Sequence, residues 1–405
     1  MADQALVSGM NFVSSAILAR MLGVHAFGIF SVFYIVLLYL NSIQIALVIN
    51  PMMSLVPQMK ESSLRRSVIR GMAGYQYLLS ALCVIAAGLF ALAASLHLLG
   101  SRFGGTVWFP FVLTIFFFQC QDWFRRYCYL HDSGTLVFWN DIISYLGQVA
   151  VFLVLWKIRC VSVPGAYYAV AVTSCVAFAG GFYSQRIGTT IAETKMAMRR
   201  TWEMGRSLLV ASQFQWLGSQ GILLIVAALI GVSSASGMRA VITLLGPVNV
   251  LYQLLDNVVP VRAARAYASG GHPELMRYLH KTAPQLLVAV GLPILLVAVA
   301  AKPIMIVAFG KPFEAFARLV IWQCIYTMLA LIYRGVSYYC RTLGTTAILA
   351  RTAFVVSVVT VGSCLILAHV YGTVGAMIAL DLGQTFNVLI PLTYAVRHSK
   401  DFAVQ

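Results

Sequence analysis

The sequence predicts an all-α integral membrane protein of about twelve transmembrane helices in two parallel six-helix repeats. Three observations predict it. Apolar residues make up 60% of the chain and charged residues 10%, with a mean hydropathy of +0.86, whereas a soluble domain carries about a quarter charged residues. Apolar runs of about twenty residues, the length that crosses a bilayer's hydrocarbon, recur from end to end between short polar connections. The chain also resembles itself when slid by 209 residues.

In order, the runs cover 4–22, 26–49, 72–98, 106–130, 135–156, 163–184, 208–230, 237–259, 283–301, 315–340, 346–368 and 373–396. They read as helices, because lipid obliges each span to satisfy its backbone hydrogen bonds internally or in a closed barrel, and the short alternating segments of a barrel are absent. The first run has no basic leader before it and no processing site after it, so it reads as retained. The second ends at Pro51 and the eighth at Pro260. Between the sixth and seventh lies the longest connection, the one good boundary. The expected organisation is therefore a six-helix bundle over 1–190, a cytoplasmic linker over 191–207 and a second six-helix bundle over 208–405.

The 209-residue offset superposes Gln4 on Gln213, Gly9 on Gly218, Gly28 on Gly237, Gln44 on Gln253 and Pro51 on Pro260. It later pairs Phe124-Arg125 with Tyr333-Arg334 and Tyr129 with Tyr338. An even number of spans per half makes the repeats parallel, related by an axis along the membrane normal, with a substrate path expected between them.

The net charge of +16 is distributed as a membrane protein distributes it. Twenty of the 28 lysines and arginines fall in loops after even-numbered spans, at the adjoining helix ends or in the C-terminal tail, leaving 8 elsewhere. The positive-inside rule places these loops and both termini in the cytoplasm. Anionic lipid headgroups suffice as partners for most of these charges, and no nucleic-acid partner is expected. The eight cysteines form no CxxC pair and the seven histidines no ligand spacing, so neither metal nor cofactor is expected.

Polar residues within spans are the candidate functional groups. Gln4, Ser8, Asn11 and Ser15 form a stripe on the first span, and Ser212, Gln215 or Trp216, Ser219 and Gln220 one on the seventh. The eighth carries Asn249, Gln253, Asp256 and Asn257, and the second Asn41, Gln44 and Asn50. Two readings stand: interhelical hydrogen bonding, or the wall of a water-filled cavity lined by Gln4, Asn11, Gln44, Gln220, Asn249 and Gln253. Clustering on repeat-equivalent helices favours the cavity. Asp141 and Asp256 are deep enough that each needs a raised pKa or a partner, which suits ion coupling and a structural pair equally. Arg20, Arg239 and Arg318 lie within about a turn of helix ends, where snorkelling is the plain reading.

The opening DQALVSGMNFVSSAILARMLGVHAFGIFSVFYIV, above all ARMLG followed by FGIFS, resembles bacterial polysaccharide transport proteins. These are lipid-linked oligosaccharide flippases of the multidrug/oligosaccharidyl-lipid/polysaccharide (MOP) flippase superfamily. In that family the A-R-x-L-G turn, here Arg20, Leu22 and Gly23, joins the first two helices beside the central cleft. YGTVGA before the last span extends the resemblance along the chain.

The resemblance implies a V-shaped MOP/MATE-like transporter of the bacterial inner membrane. It would work by alternating access on undecaprenyl-pyrophosphate-linked oligosaccharide repeat units, for O-antigen, capsule or exopolysaccharide synthesis. Arg20 and Arg239 would read the pyrophosphate, because guanidinium binds phosphate oxygens bidentately. Partners would include membrane lipids, the polysaccharide polymerase and chain-length machinery. The rival within transport is a MATE-like multidrug/cation antiporter, expected to have an acidic cavity, whereas this chain is basic. A membrane-embedded polysaccharide polymerase is the rival from another class. It would carry a large periplasmic loop, and every odd-numbered connection here is short.

Overall fold

The computed structural model describes residues 2–95, 105–131, 133–185, 187–343 and 345–397, without the side chains of residues 2–6, 182–185, 257, 346–347 and 350. Fourteen α-helices and short π and 3₁₀ turns make up almost all of it, with no strand among the described residues. In chain order the helices are α1 (Ala2–Gln44), α2 (Asn50–Leu55), α3 (Ser62–Ser95), α4 (Trp108–Leu130), α5 (Gly134–Asp141), α6 (Gly147–Lys157) and α7 (Val163–Gln185). There follow α8 (Ile191–Leu217), α9 (Gly221–Leu229), α10 (Val232–Leu244), α11 (Val248–Val299), α12 (Ala301–Phe309), α13 (Ala317–Thr342) and α14 (Thr346–Arg397).

Seven helices among the described residues are long and apolar enough to cross a membrane, or eight if the bent pair α8–α9 is one span. The helix count differs from the number of apolar runs partly because some runs are joined end to end. α1, α11 and α14 are each broken once, at Gly23 (φ 72°), at Gly270–Gly271 (φ 64° at Gly271) and at Gly372 (φ 60°). A left-handed residue turns the chain without a loop, and glycine adopts it without a Cβ penalty. Each break separates two of the apolar runs. The opposite deviation occurs in the seventh run, where α8 and α9 meet at 44° across Gly218-Ser219-Gln220. There Ser357 Oγ donates to the Phe214 carbonyl, which supplies that carbonyl with a partner outside its own helix.

Contacts divide the chain into two units, Met1–Val32 with Phe214–Gln405, and Phe33–Gln213. The repeat-based bounds, 1–190 and 208–405, put the first span with the other half of the chain. The structural reason for the difference lies in four contacts of α1. A Cβ on Gly28 would overlap the Val232 carbonyl, so the two backbones touch. Phe12 packs edge-on against Phe309 at 6.2 Å, and Phe27 against Phe313 at 6.0 Å. The Arg20 side chain reaches the last turn of α12. In the same unit α13 packs between α11 and α14.

In the unit Phe33–Gln213, α4 is the central helix, packed on α3 and α7. Its buried aromatic side includes Phe111, Trp123 and Phe124, all at or below 1% exposure. Thr114 Oγ1 donates to the Tyr167 carbonyl of α7 at 2.9 Å. The expected linker over 191–207 forms the first part of α8. Thr190 starts this helix with a reciprocal capping box: its amide donates to Glu193 Oε2 at 3.0 Å, and the Glu193 amide donates to Thr190 Oγ1 at 3.3 Å. All eight cysteines are free thiols, and all but Cys160 and Cys175 are buried.

Candidate functional site

Two charged clusters, one in each unit, are built around a repeat-equivalent arginine and tyrosine. In the unit Phe33–Gln213 the helix α4 carries Gln119, Asp122, Arg125 and Tyr129 at helical spacing. Arg125 is only 4% exposed and its Nε lies 2.9 Å from Asp141 Oδ2, at the end of α5. Its Nη2 donates to the Tyr129 hydroxyl at 3.4 Å, with the guanidinium 5.5 Å from that ring's centre. Gln44 has no exposed surface; its Nε2 donates to the Gln119 carbonyl at 2.8 Å, and its Oε1 accepts from Asn41 at 3.1 Å. Asn41 also donates to Asp122 Oδ2 at 3.4 Å, and Asp122 is 3.6 Å from Arg126.

A π-helical turn follows each of the two buried polar residues that sequence singled out in this unit: Ile45–Ile49 after Gln44, and Ile142–Leu146 after Asp141. A π turn inserts a residue into the ladder and re-aims the side chains around it, which is why such turns gather at functional sites.

In the other unit Asp256 of α11 accepts from the Tyr338 hydroxyl at 2.6 Å, and its second oxygen lies 3.5 Å from Arg334 Nε. The Arg334 guanidinium stacks 3.9 Å from the centre of the Tyr252 ring, and Tyr252 donates to the Thr327 carbonyl at 2.6 Å. Arg334 and Tyr338 stand 209 residues after Arg125 and Tyr129. Both repeats therefore place an arginine and a tyrosine one helical turn apart and oppose the arginine with a carboxylate from a different helix. The acids are not repeat-equivalent: Asp141 follows Arg125 in sequence, whereas Asp256 precedes Arg334.

The two clusters differ in solvation. The Arg125 and Asp141 side chains are 5% and 0% exposed, those of Arg334 and Asp256 26% and 40%. A sealed ion pair resists separation, because parting it leaves a buried charge. In the second pair Asp256 is exposed and Arg334 half-buried, so the carboxylate can exchange partners with a ligand or water at a lower cost than Asp141. Within the same unit, Gln220 Oε1 and Gln253 Oε1 are buried acceptors without a hydrogen-bond partner among the described residues, and so are both carboxylate oxygens of Asp381 on α14.

The remaining expected site residues are scattered. Arg20 is exposed and caps the C-terminus of α12: its Nε donates to the Ala308 carbonyl at 3.0 Å, and its Nη2 to those of Val307 and Ile306. These are the orphan carbonyls of a helix end, where a cation also meets the negative pole of the helix dipole. Arg239 is half-buried on α10. Asn11 and Asn249 are exposed. The side chains of Gln4 and Asn257 lie outside the described residues. Gln44 and Asp141 act here as interhelical and ion-pair partners, the structural alternative left open by their sequence positions. Sequence reading passed over Arg125 and Arg334 as functional groups because they fall near span ends, where basic residues are common. Their signal was the repeat itself, which matched them together with the tyrosines four residues on.

No protein-family model and no curated protein matches the sequence. Solved structures do match the fold. Similar ones include a lipid II flippase, MurJ, in an inward closed conformation (TM-score 0.74, 13% identity, covering 98% of this chain and 87% of that one). A multidrug resistance MATE family transporter of the MOP superfamily, in an inward-facing conformation, aligns at TM-score 0.72 and 11% identity over 98% of this chain and 96% of its own. A MOP superfamily transporter from Pyrococcus furiosus aligns at 0.66 and 10% identity over 99% and 95%. The chain thus has the MOP/MATE-like transporter fold over its whole length, and is a multi-pass membrane protein.

Proposed function

We propose that this protein flips undecaprenyl-pyrophosphate-linked oligosaccharide repeat units from the cytoplasmic to the periplasmic face of the inner membrane, by alternating access of two six-helix bundles over 1–190 and 208–405. The observation that carries the reading is the whole-chain likeness to a lipid II flippase, joined to a basic balance of +16 that suits a pyrophosphate and not a cationic drug. Arginine is the residue matched to phosphate oxygens, and this reading gives Arg20 and Arg239 that role. Gln4, Asn11, Gln44, Gln220, Asn249 and Gln253 would serve sugar hydroxyls, and the lipid tail would stay in the bilayer. Gln44 would have to exchange its present amide partners to do so. Of the ion-coupling candidates, Asp256 is the accessible one and Asp141 is sealed against Arg125.

The test is a deletion strain of the source bacterium. Lipid-linked single repeat units should accumulate on the cytoplasmic face and clear when the wild-type chain is restored. A strain that exports polymer normally without the protein overturns the reading. The likeness to a MATE family transporter supports a second reading, a multidrug/cation antiporter. It predicts raised sensitivity to cationic dyes in the same strain with no lipid-linked intermediate.

A further inference from the structure

In the unit Phe33–Gln213 the start of α3, the end of α4 with the turn after it, and the segment before α8 come together. Between them is a cavity of about 470 Å³ lined by Ser63, Arg66, Ser67, Arg70, Tyr127, His131 and the backbone around Gly188. Ser63, Arg66, Ser67 and Arg70 follow the i, i+3, i+4, i+7 spacing of one helical face, so α3 presents two hydroxyls and two guanidinium groups together. No carboxylate lines the cavity.

The donors are held but not exhausted. Arg70 is anchored by its Nε on the Gly188 carbonyl at 3.0 Å and by its Nη1 3.7 Å from Glu193. Arg66 bonds only within its own helix, from Nε to the Ser62 carbonyl at 3.4 Å, so both its terminal nitrogens are without a hydrogen-bond partner among the described residues. His131 donates from Nδ1 to the Tyr127 carbonyl at 3.0 Å, which fixes the ring at the cavity wall. Ser63 Oγ donates to the Glu61 carboxylate, so the cavity offers two planar forks and the Ser67 hydroxyl, which suit a tetrahedral anion with several acceptor oxygens.

We propose that this cavity binds a phosphate group, presented by the headgroup of an anionic phospholipid. The residues that border it lie in the first turns of α3, at the end of α4 and in the segment before α8, and basic pockets at the ends of membrane-spanning helices attract anionic headgroups. Bound phosphate would tie the start of α3 to the turn after α4. The same chemistry is available from a soluble phosphate ester, and the experiment separates the two sources.

The full-length protein, purified in a neutral detergent, is titrated with phosphatidylglycerol, phosphatidylcholine, sn-glycerol 3-phosphate and inorganic phosphate. Retained lipid is read by native mass spectrometry and stability by the thermal unfolding midpoint. Phosphatidylglycerol should be retained and raise the midpoint, and phosphatidylcholine should do neither. Arg66→Gln, which breaks no contact beyond its own helix, should keep the ligand-free midpoint and weaken phosphatidylglycerol retention about fivefold, the worth of roughly one interfacial charge. Arg199→Gln, at an exposed position on α8, should bind as wild type does. Stabilisation by the soluble phosphates that is lost in Arg66→Gln, without preference for phosphatidylglycerol, keeps the phosphate site and assigns it a soluble ligand. Equal retention by wild type and Arg66→Gln of every probe overturns the proposal.

Discussion

Charge and exposure decide what each arginine does. Arg125 and Asp141 are both sealed, so removing either strands the other in a low-dielectric interior, at about 3–5 kcal/mol. Arg125→Ala and Asp141→Ala should each lower the unfolding midpoint of the purified protein strongly, and the double variant should lose much less than their sum. Arg334 and Asp256 are open enough that their attraction is worth at most about 1 kcal/mol. Arg334→Gln and Asp256→Asn should therefore fold and reach the membrane at normal levels while export falls. Wild-type export by both would remove this pair from the transport cycle. Arg20 is a third case, because its fork spans the last carbonyls of α12, which a lysine can reach with only one point charge. Arg20→Lys should impair export at normal membrane levels and Arg20→Ala should impair it more, scored as polymer per unit of protein.

The elements show where the helices are pinned. α1 lies against α10 because Gly28 has no side chain at the Val232 carbonyl, and the obstruction met by a larger residue is backbone. Gly28→Val should cost about 1–3 kcal/mol through overpacking, measured as a lower unfolding midpoint with unchanged helical content. The start of α8 depends on the Thr190 and Glu193 box. Thr190→Ala should cost about 1 kcal/mol and show as faster amide exchange confined to the first turns of that helix. The broken helices make a different point. Glycine breaks at Gly23, Gly271 and Gly372 replace loops, so helices of 43 and 52 residues run on from one apolar run into the next.

For the whole molecule, orientation is the property to test first. The split of 20 basic residues against 8 leads to the proposal that the connection around Lys195 is cytoplasmic and the one around Lys311 periplasmic. Reporter fusions at these two positions should give opposite signals in that sense, and reversal at both would invert the proposed direction of transport. Composition, hydropathy and the even-numbered repeat by themselves determine the fold class. In lipid every backbone group must be satisfied locally, so a long apolar run has few conformations open to it. The repeat also matched Arg125 with Arg334 and Tyr129 with Tyr338 before any contact was visible. Periodicity identifies the face a side chain occupies but not what lies across from it. Tertiary packing decides that Gln44 is held by the Gln119 carbonyl and Asp141 by Arg125. It decides Arg20 as well, whose partners on α12 stand 286 to 288 residues away. Such pairings are decided by how helices distant in sequence pack together, and a polar residue's role follows from that neighbour rather than from its own position in the chain.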